Sequence, residues 1–403
     1  MSAHLRTILP PLFLLLLTVS VFHPSLENGW TTFDDDLYVV DNPDVHGWTA
    51  QNLRAVWSHP YIGSYQPLTM MTYMADYAVG RLDASVYHAT SLGVHLINVL
   101  LTYLLSFRLT QRDRSAAFVT ALVFAVHPAH VEPVAWIASR KDVVSALFAL
   151  SALIVYAGGS GVRRRWAVTF LFTAAVLSKG AMFVLPFLFL AVDRLQGRTD
   201  WRRAAAEKWP MFVIAGVTAT GALFTQSAAG AVRTFSVHEA LAVPPYALLF
   251  YLQKFAVWSG LSAVYPFPVK NGGLFPAAVY GSAPIVASLA VLVWQIRHRP
   301  MVLFGLLFFL ILVAPALQAV RFSNIVAADR FTYLAYIGLT LPLAVWGSRS
   351  WREGQRWRKL LLFAAMAGWM AAAGLSAHER VGVWRDSAAL WKDVLTKYPD
   401  LFR

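Results

Sequence analysis

Residues Ile8 to Asp36 read ILPPLFLLLLTVSVFHPSLENGWTTFDDD. An apolar run close to the roughly 20 residues of a membrane-spanning helix is followed, after a short polar stretch, by three aspartates. Because carboxylates cost free energy near hydrocarbon, acids clustered at a membrane surface are candidates for a functional role. A solvated acidic turn is the alternative interpretation, since the nearby Asp41-Asn42-Pro43 is typical turn sequence.

The composition indicates a membrane protein. Of the 403 residues, 58% are hydrophobic, and similar apolar runs recur along the chain between short polar or basic loops. The formal net charge is +13, but the arginines and lysines lie mainly in those loops, which indicates membrane topology and not nucleic-acid binding. The absence of cysteine excludes disulfide and thiolate chemistry. Because the first run lacks a convincing cleavage site before Trp30, we expect a retained helix and not a signal peptide.

The apolar pattern predicts an all-α fold with about eleven transmembrane helices. Two of the runs, 166–178 and 181–193, are short, and they predict either a helical pair partly buried by protein or one broken helix. The complete set of predicted spans is 8–24, 85–107, 115–131, 141–157, 166–178, 181–193, 209–227, 277–296, 301–320, 331–347 and 359–376.

Basic loops predict which helix ends face the cytoplasm, because such loops tend to remain inside. They follow the second, fourth and sixth spans, so the N-terminus is expected inside and the long loop 25–84 outside. The cations concerned are Arg108, Arg112, Arg114, Arg163, Arg164, Arg165, Arg194, Arg198, Arg202, Arg203 and Lys208.

One segment decides the span count. Residues 244–262 are apolar enough to cross a membrane, but Gln253 and Lys254 lie in the middle, where a charge is costly. We therefore predict an interfacial or re-entrant helix there. The basic loop 349–359 then lies inside, and the segment 378–403 lies outside.

With this topology the outer loops collect the unusual polar residues. The most conspicuous stretch reads HPAHVEPVAW from His127 to Trp136. The stretch could cap a helix end, or His127, His130 and Glu132 could hold zinc, although their spacing is not a helical i, i+4 pair. Lys179 stands alone between two apolar runs, a position that requires an anion or access to water.

Further cations on the outer side have two possible roles. Arg140, Lys141 and Arg330 could anchor the protein at the membrane surface, or they could bind a ligand. The other polar residues that we expect on this side are Asp142, Tyr333, Arg233, His238, Arg321 and Asp329.

Carboxylates and cations are thus predicted to converge on one membrane face. A carboxylate can deprotonate a hydroxyl group, and arginine and lysine can stabilise a departing phosphate. This combination suits transfer of a group from a phosphate-bearing lipid whose tail lies in the bilayer.

The motifs resemble those of the GT-C superfamily of membrane glycosyltransferases, and most closely the transmembrane-and-tetratricopeptide-repeat (TMTC) O-mannosyltransferases and their bacterial relatives. The resemblance covers roughly 30–400, and the ordered set is specific although each element alone is weak. The elements that carry it are Phe33-Asp34-Asp35 with Asn42-Pro43, Tyr65-Gln66-Pro67-Leu68-Thr69, His127 to Trp136 with Arg140-Lys141-Asp142, Leu177-Ser178-Lys179, and Ala328 to Leu334.

The resemblance implies a bundle of membrane helices over 1–376 with an outer active site, a polyprenyl- or dolichyl-phosphate sugar donor, and a hydroxyl acceptor on a protein or glycan. It makes Asp34 or Asp35 the general base, with a preference for Asp35. It implies that cations, led by Lys179 and Arg330, bind the phosphate. The substrate-binding residues on this interpretation are His127, His130, Glu132, Arg140, Lys141, Asp142, Lys179, Arg330, Tyr333 and Gln66.

The chain departs from the family pattern at two places. Gln66 stands where the family has arginine, so one contact to phosphate or protein is changed. The segment 377–403 resembles only the start of a tetratricopeptide-repeat array. Since stacked repeats stabilise one another, a lone helix is expected to pack elsewhere or remain mobile.

Other functions and properties remain open at this stage. A transporter or flippase for a lipid-linked or anionic substrate is the main alternative, and a catalytically inactive scaffold is another. No cofactor is required, although a divalent metal is possible, and membrane lipids are the expected surroundings. The alanine- and arginine-rich composition suggests a bacterial inner membrane, which would place the active site on the periplasmic face.

Overall fold

The fold is described from a computed structural model over residues 3–159, 161–198, 200–228, 235–270, 273–319 and 325–401. Arg233 and Arg321 lie outside this part of the chain. The helices are α1 Ala3–Phe22, α2 Ala50–Ser58, α3 Pro67–Gly80, α4 Ala84–Leu109, α5 Arg114–Val126, α6 Val131–Ala135, α7 Arg140–Ala157, α8 Val162–Ser178, α9 Leu185–Leu195, α10 Trp201–Ala206, α11 Trp209–Ala228, α12 Val237–Ala256, α13 Ala277–Gln295, α14 Pro300–Val313, α15 Ala335–Glu353, α16 Arg356–Val381 and α17 Ser387–Lys397.

Short turns and one small sheet connect these helices. Two strands, β1 (Tyr265–Pro266) and β2 (Ile325–Ala327), pair antiparallel. The single-turn helices are His23–Glu27, Asp36–Val40, Pro43–Val45, Pro128–His130, Ile137–Ser139, Gly180–Val184, Ala314–Ala316, Asp329–Thr332 and Gly382–Trp384. The all-helical class expected from the sequence is therefore correct over the described residues.

A helix occupies each of the eleven positions predicted to span the membrane, but fewer of them meet the requirements of a span. Four helices within the described residues are long and apolar enough, and a fifth qualifies if α5 is joined to Pro128–Ala135 across a 56° bend. The prediction of membrane helices is confirmed, whereas the count of about eleven is not. The four are Ile8–Glu27, Ala84–Leu109, Ala277–Gln295 and Arg356–Trp384.

Sequence signals explain where the central helices begin. The Asp83 side chain accepts a hydrogen bond from the Ser85 amide, and Asp113 accepts one from Ala116, so both carboxylates cap helix N-termini. The helices α4, α5, α7 and α8 pack together, and their facing residues form much of the core. Close contact between α14 and α15 depends on Gly305, where an added Cβ would lie 2.3 Å from the Gly338 carbonyl oxygen.

Two breaks in the helices bring polar residues into the interior. Pro128 disfavours helical geometry at His127, and the chain turns there before α6 begins. A second break separates α8 from α9, with Lys179 between them. The short runs predicted near this point are therefore two helices with a cation at the junction.

The helix α12 covers most of the segment predicted to lie in the membrane plane. It is not among the helices that are long and apolar enough to span, and its Lys254 ammonium group donates to the Ser259 carbonyl oxygen at 2.6 Å. The predicted topology relies on this helix remaining at the interface, and that part stays a prediction.

The C-terminal helix packs on the first loop. Trp384, which precedes this helix, is fully buried, and its ring lies 6.3 Å from that of Phe33 in the loop and 5.3 Å from that of Trp136. Two hydrogen bonds from amides of the loop reinforce this: Gly29 donates to the Arg385 carbonyl oxygen at 2.8 Å, and Thr32 donates to the Ser387 hydroxyl at 2.9 Å. The lone helix expected from the sequence thus finds its partner in the loop that carries the aspartates.

Candidate functional site

A large apolar cavity is the main concave feature near the predicted site. Its volume is about 900 Å³, and walls of α8, α11 and the turn after α14 enclose it. Most of its lining is apolar, but Lys141 and Lys179 are part of it. A smaller cavity of about 80 Å³ adjoins it and shares Lys179 and Phe331.

Lys179 lies where both cavities meet, at the end of α8. Its ammonium group forms an ion pair with Asp142, which also accepts a hydrogen bond from the Ser139 hydroxyl at 3.1 Å. The ammonium group lies 5.2 Å from the centre of the Phe331 ring. Lys179 and Asp142, both predicted from the sequence, are therefore brought together as a pair that lines the smaller cavity.

Arg330 also lines the smaller cavity. Its guanidinium forms an ion pair with Glu132, and its backbone amide donates to the same carboxylate at 3.1 Å. Glu132 is fully buried, so this carboxylate serves Arg330 and has no free surface for a substrate. The ring of Trp136 lies 5.1 Å from the guanidinium carbon. The structure thus joins two distant predicted motifs at one position.

Lys141 differs from the other two cations because no described carboxylate pairs with it. The ammonium group donates to the Tyr38 hydroxyl at 3.3 Å and lies 4.8 Å from the Tyr38 ring centre. Its side chain is half-buried and lines the large cavity. Lys141 is therefore the cation best able to take an anionic ligand at the polar end of that cavity.

Arg140 is fully buried, and its guanidinium is bound by other residues of the protein. Its guanidinium pairs with Asp76 and donates to the Tyr87 carbonyl oxygen at 2.6 Å. It also packs on the Tyr73 ring, whose centre lies 4.7 Å away. Arg140 lines neither of the two cavities, so it fixes the start of α7 and positions Lys141 and Asp142.

Asp35 is buried, and both oxygens of its carboxylate accept hydrogen bonds. Its carboxylate accepts hydrogen bonds from the Thr31 amide at 2.9 Å, the Thr31 hydroxyl at 2.7 Å and the Ala138 amide at 2.8 Å. Burial raises the pKa of Asp35 to about 6, although these hydrogen bonds oppose the increase, and the neighbouring Asp34 adds to it. Asp35 therefore ties the first loop to the turn that precedes α7.

Asp34 has the opposite character. It is only half-buried, and its φ of 71° lies in the left-handed region, which non-glycine residues seldom adopt. The charge of Asp34 acts on Arg330: burial lowers the pKa of Arg330, whereas Glu132, Asp142 and Asp34 raise it, and the net direction is upward. Asp34 is thus a partly accessible carboxylate whose charge acts on Arg330.

The two histidines of the HPAHVEP stretch lie inside the protein. The His127 ring nitrogens lie 3.2 Å from the Ala129 amide and 3.3 Å from the Phe255 carbonyl oxygen. One nitrogen of His130 lies 2.8 Å from the Phe124 carbonyl oxygen, and the other has no partner among the described residues. No cluster of three or more potential metal ligands occurs in the described part of the chain.

Tyr333 reaches the smaller cavity, but its hydroxyl has partners inside the protein. The hydroxyl lies 2.7 Å from a ring nitrogen of His95, and the Asn98 side chain donates to it at 3.2 Å. The ring of Tyr333 lies 5.1 Å from that of His130. Tyr333, His127 and His130 therefore form an aromatic layer beneath the cations.

Gln66 is buried, and neither atom of its amide group has a partner among the described residues. It directly precedes α3 without a side-chain capping bond. Its neighbour Tyr65 lines the large cavity, and the Thr69 hydroxyl donates to the Ser178 carbonyl oxygen at 2.9 Å. Gln66 thus has unused hydrogen-bonding capacity next to a residue of the cavity lining, although it lines neither cavity itself.

Sequence reasoning missed Tyr38 and Phe331. Tyr38 contacts Lys141. The sequence offered a signal for it, because Tyr38 lies only four residues after Asp34 of the acidic run. In the structure the Tyr38 amide donates to the Asp34 carbonyl oxygen at 3.0 Å. Phe331 lines both cavities and follows Arg330 directly in the chain. Nothing in the sequence indicated that residues of α11 line the large cavity, because they belong to an ordinary apolar run.

Comparison with known proteins supports the family resemblance. No family model matches the chain. The chain is 31% identical over 139 residues to Protein O-mannosyl-transferase TMTC3 of Mus musculus and 27% identical over 184 residues to Protein O-mannosyl-transferase F38B6.6 of Caenorhabditis elegans. It is 30% identical over 177 residues to Protein O-mannosyl-transferase TMTC4 of Homo sapiens.

These alignments are partial on both sides. They cover 32%, 42% and 37% of this chain, and 15%, 26% and 24% of the respective relatives. The resemblance to TMTC O-mannosyltransferases that the motifs indicated is confirmed over that part of the chain. The apolar helices and the relatives together indicate association with a membrane.

Proposed function

We propose that the chain transfers a sugar from a polyisoprenoid phosphate to a hydroxyl group of a protein or glycan. The observation that carries this proposal is the large apolar cavity whose lining includes Lys141 and Lys179. A lipid-linked donor needs an apolar channel for its tail and cations for its phosphate, and here the two adjoin. The relatives' name, protein O-mannosyl-transferase, supports a mannose donor and a serine or threonine acceptor.

The donor would bind with its isoprenoid chain between α8 and α11. A volume of about 900 Å³ is near the upper end of the roughly 300–1,000 Å³ of small-molecule pockets, so several isoprene units fit. The phosphate would contact Lys141 first, because Lys179 and Arg330 already have carboxylate partners. Gln66 lines neither cavity, so its unpartnered amide group would reach the phosphate or a sugar hydroxyl only after its side chain moves into the site.

The chemistry requires one base and a stabilised leaving group. The acceptor oxygen forms a bond to the anomeric carbon while the bond from that carbon to the phosphate oxygen breaks. The phosphate keeps the electron pair, and the hydroxyl proton passes to a carboxylate. Asp34 is better suited to accept that proton than Asp35, because Asp34 is partly accessible and its charge acts on Arg330, whereas the Asp35 oxygens hold the loop together.

The side of the reaction and the alternatives follow from the predicted topology. The site would lie on the outer face, which is the periplasm if the protein resides in a bacterial inner membrane; the named relatives are animal proteins, so that location rests on composition alone. A transporter or flippase is less well supported, because the relatives are named transferases and the cations and carboxylates cluster at one end of the helices.

The proposal is tested by donor binding with purified protein in vesicles, with polyprenyl-phosphate mannose as the probe. Lys141→Gln should weaken binding about tenfold through loss of a charge-assisted contact. Lys359→Gln removes the same charge remote from both cavities and should bind the donor as the unaltered protein does. Ala222→Trp should block the tail cavity, whereas Val291→Trp on the exposed face of α13 should not.

The result decides whether the large cavity is part of the donor site. If Lys141→Gln and Ala222→Trp bind the donor as tightly as the unaltered protein does, the cavity is not part of that site. Transfer from a nucleotide sugar, with none from the lipid-linked sugar, would overturn the donor class. Transfer to a synthetic serine- and threonine-containing peptide would support the protein acceptor.

A further inference from the structure

A second polar cavity lies at the opposite ends of the same two helices that form the candidate site. Asp142 begins α7 and Lys179 follows α8, whereas Tyr156 and Arg165 lie at their other ends. Since α7 has 18 residues, the two ends are about 27 Å apart, a distance close to the thickness of the hydrocarbon layer. By the positive-inside argument, this second cavity lies on the cytoplasmic side.

A buried carboxylate organises one wall of the cavity. Asp193 accepts hydrogen bonds from the Tyr156 hydroxyl at 2.6 Å, from Arg198 at 3.0 Å and from Lys208 at 2.6 Å. Lys208 is itself buried and also donates to the Ala204 carbonyl oxygen. Two cations on a single carboxylate leave a positive charge that is fixed in place.

Two further arginines line the cavity and add to that charge. Arg164 and Arg165 lie in the first turn of α8, and no ion pair joins either of them to a described carboxylate. Arg164 packs on the backbone of a glycine turn, because a Cβ on Gly159 would lie 2.6 Å from one of its guanidinium nitrogens. The one acidic side chain in the lining, Glu207, already pairs with Arg203 at 3.5 Å.

We propose that this cavity binds the phosphate headgroup of an anionic phospholipid of the cytoplasmic leaflet. Its volume of about 80 Å³ accommodates a phosphate group but not a large ligand. Arginine presents paired donors that match phosphate oxygens, and the opening lies at the level where lipid headgroups are found. The buried Met211 gives the cavity an apolar wall, and the exposed Trp166, which follows Arg165 in α8, would meet the acyl chains.

The experiment measures lipid binding and does not depend on transferase activity. Purified full-length chain is titrated with phosphatidylglycerol, and binding is read by native mass spectrometry and by the rise in melting temperature. Arg164→Gln/Arg165→Gln should weaken binding about tenfold or more through loss of charge-assisted contacts. The matched control Arg163→Gln/Arg194→Gln removes two exposed arginines of the same surface outside the cavity, and it should remain within about twofold.

A second variant tests whether lipid binding depends on the position of Arg164 and not only on its charge. Gly159→Ala keeps every cation but displaces Arg164 and strains a backbone with φ of 132°, so it should also weaken phosphatidylglycerol binding. Phosphatidylcholine should bind weakly to all variants. Equal loss in the cavity and control double variants would overturn the proposal, because that result requires only diffuse charge attraction. If inorganic phosphate bound as tightly as phosphatidylglycerol, the cavity would be a site for free phosphate and not for a lipid headgroup.

Discussion

Asp34 and Asp35 are adjacent in the chain but have opposite environments. The sequence identified the acidic run and favoured Asp35 as the base, but it gave no view of the environments of the two residues, because these depend on contacts with residues far along the chain. The Ala138 amide, which binds Asp35, lies more than a hundred positions away. Lys179 was identifiable, since a lone cation between apolar runs needs a partner, but the identity of Asp142 as that partner was not.

The first prediction separates the roles of the two aspartates. Asp34→Asn should lower transfer about 10²-fold or more with little change in melting temperature, because it removes a base whose carboxylate makes no hydrogen bond to the described residues. Asp35→Asn should lower the melting temperature, since its amide group places a donor where Thr31 or Ala138 already donates. Turnover and thermal unfolding of both variants check this. Normal transfer by Asp34→Asn at a normal melting temperature would exclude Asp34 as the base.

The effect of Asp35→Asn on stability should depend on pH, which gives this prediction an internal control. The folded pKa of about 6 lies above the usual 3.8, so the protonated form is favoured by folding. This contribution to stability is complete below about pH 4 and disappears as the pH rises through 6. The difference in melting temperature between Asp35→Asn and the unaltered protein should therefore be larger at pH 4 than at pH 7.

The second prediction concerns Gln66, whose buried amide group has no described partner. Gln66→Leu keeps the approximate volume and removes both polar atoms. If the amide group serves the protein alone, the variant should be at least as stable and equally active, because an unpaired polar group is costly to bury. We expect stability to be maintained and the KM for the donor to rise about tenfold, as measured by initial rates. An unchanged KM would restrict Gln66 to a packing role.

At the scale of elements, the start of α7 shows how neighbours on one helix diverge. Arg140, Lys141 and Asp142 are adjacent, and the sequence predicted them as one binding group. Successive residues of a helix project about 100° apart, so they meet three different environments. Arg140 turns into the core, Lys141 faces the large cavity and Asp142 meets Lys179. The motif was recognisable, but the division of roles required the packing of α4 and α8.

The third prediction tests the docking of α17. Trp384 is fully buried between the first loop and α17, and its ring stacks on Trp136. Trp384→Ala should destabilise the protein by about 3–5 kcal/mol, as removal of a large buried aromatic side chain usually does, and transfer should fall because Trp136 lies against Arg330. The control Trp294→Ala removes an exposed tryptophan and should change stability little. Equal melting temperatures for the two variants would mean that the contact contributes nothing.

At the scale of the whole molecule, the sequence predicted where helices occur better than it predicted how many cross the membrane. The runs at 166–178 and 181–193 became α8 and α9, and 301–320 became α14 with a turn. Several of these helices are shorter than the roughly 20 residues of a full span. Hydropathy cannot distinguish a short membrane helix from one buried by protein, because both environments are apolar. The orientation of the molecule therefore rests on the basic loops.

The last prediction tests that orientation, and with it the placement of both proposed sites. The chain has no cysteine, so single cysteines report without background after labelling with a membrane-impermeant maleimide. Cysteines at the exposed positions Gln51 and Ala388 should react from outside, and those at Arg163 and Glu353 only from the cytoplasmic side. Cytoplasmic labelling at Ala388 with external labelling at Gln51 would require an additional crossing, and α12 is the helix that would supply it. In that case the C-terminal helix could not pack on the first loop, because the membrane would separate Arg385 from Gly29, which bind each other in the structure.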